Sequence, residues 1–130
     1  MTGELTDPET LLGAIDLGSN SFHLIIAKSD FGELRPVQTL AEKVQLGETS
    51  GKNTLTKPAI ARGLACLERF KQLIDSTAPA KIRVVGTNAL RRAKNRLEFI
   101  EPAEHILGVP IDVIYGREEA RLIYLGVAHT

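Results

Sequence analysis

The stretch that most constrains the chain is residues 13–28, GAIDLGSNSFHLIIAK, where an apolar strand carrying one aspartate runs into a small polar turn and then a second apolar strand. An ionised carboxylate left unpaired among Ala14, Ile15 and Leu17 is costly to bury, so Asp16 is expected where the strand opens onto solvent, a cation or a ligand. Gly18, Ser19, Asn20 and Ser21 follow at once. Glycine allows a turn of positive φ, and successive backbone N–H groups in such a turn, with Ser and Asn side chains, can form an anion-binding concavity. A carboxylate suited to a metal thus stands beside donors suited to a phosphate. The plain alternative is an ordinary hairpin turn with a solvated aspartate at its edge.

Residues 22–27 are rich in Phe and Ile and read as a strand, which makes the segment a β-hairpin rather than a strand-to-helix phosphate loop. Neither GxGxxG nor GxxxxGK[ST] occurs. Residues 47–53, GETSGKN, come near the second but are one residue short between the glycines, and Asn53 stands where a magnesium-binding hydroxyl belongs. Asp30-Phe31-Gly32 matches the kinase magnesium motif by letters only and reads as a turn.

The 16 basic and 16 acidic residues cancel, so an anion site has to be built locally rather than by bulk charge, and no general attraction to nucleic acid or membrane is indicated. With 130 residues, 43% of them hydrophobic, one domain with a real core is expected. Cys66, the single cysteine, excludes an internal disulfide and falls among apolar helix positions, as a packed core thiol does. No apolar run has membrane-span length and no leader pattern opens the chain, which makes the cytoplasm the default. Residues 1–12 read as a flexible tail, with structure starting near Leu11.

Beyond the hairpin, residues 34–46 form a third strand that Pro36 places at an edge. Thr56 caps a helix with Pro58 in its first turn, and Ile60, Leu64, Leu67, Phe70 and Ile74 follow at helical spacing until residues 77–79 end it. Residues 81–85 are a β-branched strand, followed by Gly86, Thr87 and Asn88, where Thr87 or Asn88 can cap a helix over 89–93. Arg91, Arg92, Lys94 and Arg96 crowd the next turns; a solvated face explains such runs, and ligand contact is the other reading, with Arg91 best placed. A helix over 97–107, broken early by Pro102 and stopped by Gly108, leads to a strand at 110–115. Glu118 and Glu119 then open a last helix, where acidic residues offset the helix dipole or serve chemistry. If the strands share one sheet, the turns after Leu17, Val85 and Tyr115 open on one edge, where ligands bind in open α/β sheets.

AIDLGSNSFH, VVGTNALRRA and GREEARLIYLGVAHT, in this order and at these separations, resemble the start of the exopolyphosphatase and guanosine pentaphosphate phosphohydrolase family over residues 13–130. The first motif alone would indicate only the wider actin, sugar kinase and Hsp70 superfamily. The resemblance implies an α/β fold: a ribonuclease H-like lobe whose mixed sheet has three antiparallel strands and then parallel ones, helices on both faces, in the order β-β-β-α-β-α-β-α. A second such lobe with a DIGGGS-type loop follows in the family, which implies that this chain is an N-terminal fragment. The resemblance further implies Mg2+ bound by Asp16, phosphate held by Gly18, Ser19, Asn20, Ser21, Thr87 and Arg91, and Glu119 as general base toward water, with Arg91 assisting. Glu118 is the rival base, and His23 takes a structural role. The implied reaction is hydrolysis of the terminal phosphoanhydride of inorganic polyphosphate, or of the 5′ γ-phosphate of guanosine pentaphosphate, as in the stringent response. The full-length protein would be a homodimer and the isolated lobe inactive. The alternatives are a sugar or acetate kinase of the superfamily and a non-catalytic alarmone or polyphosphate-binding module.

Overall fold

The structure, a computed structural model, describes residues 10–30, 33–47 and 53–114. Strands β1 (Thr10–Leu17), β2 (Ser21–Asp30) and β3 (Glu33–Lys43) form an antiparallel meander. Helix α1 (Lys57–Thr77) then leads to β4 (Lys81–Gly86), α2 (Asn88–Arg92), α3 (Leu97–Leu107) and β5 (Ile111–Val113). The sheet order is β3-β2-β1-β4-β5, with β4 parallel to β1 and β5 parallel to β4. This is the mixed sheet expected. β1 begins inside the span expected as tail, and Leu12 is already buried.

Register sets the two faces. Ile15 pairs with Leu24 and Val84, Leu17 with Phe22, and Val84 with Ile111, so these apolar side chains share one face. Phe70 of α1, Leu90 of α2 and Phe99 of α3 join the same core cluster. The helix expected after Glu118 and Glu119 lies outside the described residues.

Local chemistry explains most boundaries. The Thr56 hydroxyl accepts the Ala59 N–H at 3.1 Å, capping α1, and Pro58 stands where a missing N–H costs nothing. Left-handed Ala78 (φ 48°) closes the helix, its N–H reaching the Ile74 carbonyl. The buried stripe of α1 runs through Ala59, Gly63, Cys66, Leu67, Phe70 and Ile74, while Ile60 and Leu64 sit at its margin. Gly63 is required by close approach: a Cβ there would lie 2.7 Å from Phe99 Cε1, and the Phe22 and Phe99 rings meet edge to face beneath it.

Two expectations are corrected. Pro102 does not break α3, which continues from Leu97 to Leu107; one i→i−4 bond to the Glu98 carbonyl is lost, and burial of Phe99, Ile100, Ala103 and Leu107 holds the helix through it. α2 begins one residue early, and its cap residue Thr87 makes no side-chain capping bond. β3 is the edge strand, as Pro36 indicates, with a bulge opposite Ile26 and Ala27. No helix among the described residues is long and apolar enough to cross a membrane.

Candidate phosphate and metal site

The carboxyl ends of β1, β4 and β5 reach the same level of the sheet. Leu17 pairs with Gly86 and Gly86 with Val113, and the Ile114 N–H bonds the Gly86 carbonyl at 2.9 Å. The turns after Leu17 and Val85 therefore open on one edge, and the chain leaves β5 toward Glu118 and Glu119 from that edge too. Glu119 and Glu118 themselves lie outside the described residues.

Asp16, the penultimate residue of β1, is exposed on the face opposite the core, beside His23 across the antiparallel pair and Val85 across the parallel one. That is the solvent-facing position an aspartate in this strand requires. His23 is also exposed. Further along the same face Arg83 meets Asp112 at 3.6 Å, each about half exposed.

The turn at 18–21 is held rigidly, though not in the manner expected. Gly18 lacks positive φ; Gly108, with φ 75°, is the glycine that has it among those described. Gly18 instead donates its N–H to the Ser21 carbonyl at 3.1 Å, and a Cβ there would stand 2.8 Å from that oxygen. Glycine is needed for closeness, and its N–H is taken by the turn rather than offered to an anion. The Ser19 carbonyl accepts from Gly47 N–H at 2.8 Å, and the Asn20 carbonyl accepts from Val44 and Gln45 N–H at 3.0 and 2.9 Å. Arg62 of α1 secures the other side, with Nε on the Val44 carbonyl at 2.8 Å and Nη2 on the Gln45 carbonyl at 3.3 Å. These bonds hold Gln45 at φ 55°, a conformation a non-glycine residue keeps only when its surroundings impose it.

A second wall is tied just as firmly. Asn95 accepts the Leu55 N–H at 2.8 Å and donates to the Leu55 carbonyl at 3.1 Å, while the Lys94 N–H bonds the Asn53 carbonyl at 2.9 Å. Between the walls lies a cavity of about 380 Å³ bordered by Ser19, Gly47, Asn53, Asn88 and Arg92. Arg91, half-buried, gives Nη2 to Asn88 Oδ1 at 3.0 Å, and its N–H bonds the Thr87 carbonyl at 2.9 Å. The structure thus brings Ser19 together with the Thr87 to Arg92 turn, and it is Arg92 that borders the cavity. Asn53 and Arg92 went unassigned in the sequence; their signals were an odd terminal residue in the GETSGKN segment and one arginine among four basic positions.

Magnesium prefers one or two carboxylates plus water and phosphate oxygens. Asp16 fits as one such carboxylate, being exposed at a strand end, and among the described residues no three His, Cys, Asp or Glu side chains gather.

The Ppx/GppA phosphatase family matches residues 25–130. A Ppx/GppA family member of Aquifex aeolicus shares 32% identity at a TM-score of 0.82, over 94% of this chain and 40% of that one. An exopolyphosphatase from Cytophaga hutchinsonii shares 29% identity at 0.80, over 88% of this chain and 37% of that one. An exopolyphosphatase-like protein shares 32% at 0.81, over 88% of this chain and 36% of that one. The chain therefore spans about two-fifths of the length of these relatives. With a family match that takes in most of the residues from β2 onward and a sheet that superposes on the Aquifex protein, the chain belongs to the Ppx/GppA phosphatase family.

Proposed function

We propose that this chain is the N-terminal, ribonuclease H-like lobe of a two-lobe, magnesium-dependent phosphohydrolase. Its substrate is inorganic polyphosphate, cleaved at the terminal phosphoanhydride, or guanosine pentaphosphate, cleaved at the 5′ γ-phosphate. The observation that carries the reading is the shared edge: Asp16, the 18–21 turn and the Thr87 to Arg92 turn follow paired positions of adjacent parallel strands. Membership of a phosphatase family makes water the natural acceptor. The exopolyphosphatase from Cytophaga hutchinsonii is one of the structures this chain resembles.

In this reading the Ser19, Asn20 and Ser21 groups hold the terminal phosphoryl, and Thr87 and Arg91 approach it from the β4 side. Asp16 would hold Mg2+, which when bound neutralises charge on the transferring phosphoryl. Glu119 would take the proton of the attacking water, a contribution of about 10² to 10⁴ in rate for a positioned base. Because phosphoryl transfer asks for positioning and charge neutralisation, the bonded turn at 18–21 suits the task better than a mobile loop would. We further propose a cytoplasmic homodimer for the intact protein, and little or no turnover by this lobe alone.

Phosphate release from polyphosphate and from guanosine pentaphosphate by the intact protein tests the proposal. Magnesium-dependent release from either supports it, with Glu119→Gln abolishing turnover while substrate still binds. Transfer of phosphate from ATP to a sugar or acetate, with none to water, points to a kinase; tight binding without release points to a sensor.

A further inference from the structure

The cavity beside Ser19 has a composition that selects its occupant. Its described border has one charged side chain, Arg92, with the Asn53 and Asn88 amides, the Ser19 hydroxyl and the small residues Gly47, Ala89 and Ala93. Among the described lining residues the apolar side chains are the two methyl-sized ones, so the described border is mainly polar. The Asn88 oxygen already accepts from Arg91, while its NH₂ supplies two donors to the site. Arg92, unlike Arg91, is engaged by no described residue. Donors and one guanidinium around a polar space match an oxyanion, and the planar fork of arginine suits two phosphate oxygens at once.

Position narrows the class further. Ser19 belongs both to this cavity and to the turn that holds the terminal phosphoryl in the function proposed above. We infer that the cavity seats the next phosphate of a chain, gripped by Arg92 with Asn53 and Asn88, so that the lobe recognises at least two consecutive phosphates and not one. This rests on the phosphate reading of the 18–21 turn. The clamp of Asn95 on Leu55 and the Lys94 bond to Asn53 give the inference its rigidity: the Asn53 wall is held against the α2 side before any ligand arrives, so little ordering cost is left for binding.

Two probes separate the two phosphates: orthophosphate, and methylenediphosphonate, whose P–C–P bridge cannot be hydrolysed. Calorimetric titration of the intact protein with magnesium should show the diphosphonate binding wild type more tightly than orthophosphate does. Arg92→Gln should weaken diphosphonate binding roughly 10- to 100-fold, the scale of a lost hydrogen bond to a charged group, and change orthophosphate binding less than about twofold. Arg92→Lys, which keeps the charge without the fork, should fall between. Unchanged diphosphonate affinity in Arg92→Gln, with wild type still binding orthophosphate, overturns this inference alone. So does parallel weakening of both probes, or a wild type that binds both equally. A wild type that binds neither probe overturns the reading of the turn as well.

Discussion

The two faces of the sheet are built on opposite rules. Toward the helices the central strands are apolar and closed: Ile15, Leu17, Phe22, Leu24 and Val84 are almost fully buried and share one core with Phe70, Leu90 and Phe99. The opposite face carries exposed Asp16 and His23 and the solvated Arg83 and Asp112 pair. Alternation along β1 makes both at once, since Ile15 and Leu17 point one way and Asp16 the other. A carboxylate is therefore carried without weakening the core, because Asp16 occupies a position that the helix-side core does not use. Substitutions should separate along the same line, with core variants losing the fold and Asp16 variants losing only activity.

The largest effect should come from the closed face. Phe99 is fully buried, stacks edge to face on Phe22 and presses on the backbone of Gly63. Phe99→Ala is expected to cost about 3–5 kcal/mol, read as a lower urea midpoint. A loss under about 1 kcal/mol would show that the aromatic contact between α1, α3 and β2 is not what holds the core.

Asp16→Asn should do the reverse. Its side chain leaves the core untouched, so the urea midpoint should stay within about 0.5 kcal/mol of wild type. Turnover by the intact protein should fall by about 10² or more, as expected when a metal-binding carboxylate is neutralised. An equal loss of stability and activity would erase the distinction between the two faces.

Thr56→Ala probes a helix end, between the two extremes. Removing the hydroxyl that accepts the Ala59 N–H should cost about 1 kcal/mol in the same urea experiment.

How much of this was legible in the sequence follows the range of each interaction. The Thr56 cap, the edge position of Pro36, the exposure of Asp16 and the burial of Cys66 each depend on neighbours within a turn or on strand alternation, and all four hold in the structure. Pro102 failed as a breaker because packing of four side chains outweighs one missing N–H. Gly18 was rightly singled out for the wrong reason: the contact that demands it is a carbonyl three residues on, which residue type alone does not reveal. The Asn95 clamp spans 40 residues and joins two segments without periodicity, so no local pattern announces it. The cavity wall at Asn53 was hidden with it. The hairpin and its tight turn were thus readable in the sequence, while the second wall of the cavity needed tertiary structure.

The smallest effect is expected where the edge strand meets α1. Arg69 grips Glu42 with two bonds, Nε to Oε2 at 2.7 Å and Nη2 to Oε1 at 2.6 Å, and Cys66 lies beneath them. The Arg69 hydrogen bonds hold the Glu42 carboxyl below its ordinary value of 4.5, while burial first and the Glu42 charge second push the Cys66 thiol up to about 12. The two shifts act at opposite ends of the pH range. A carboxyl whose folded pKa is lowered adds stability above about pH 4.5, and that stability is lost as pH falls through the folded value. A thiol whose folded pKa is raised adds stability below its unfolded value near 9.0, and that is lost as pH rises toward 12. Glu42→Gln should therefore lower the urea midpoint slightly at pH 7, and the gap to wild type should close near pH 3, because an ion pair this exposed is well screened. The same variant should bring the thiol part of the way back toward its ordinary value, since burial, the larger cause, remains. A stability gap that persists at pH 3 would assign the contact to packing rather than charge. It would also make this corner an extension of the closed face rather than a solvated edge.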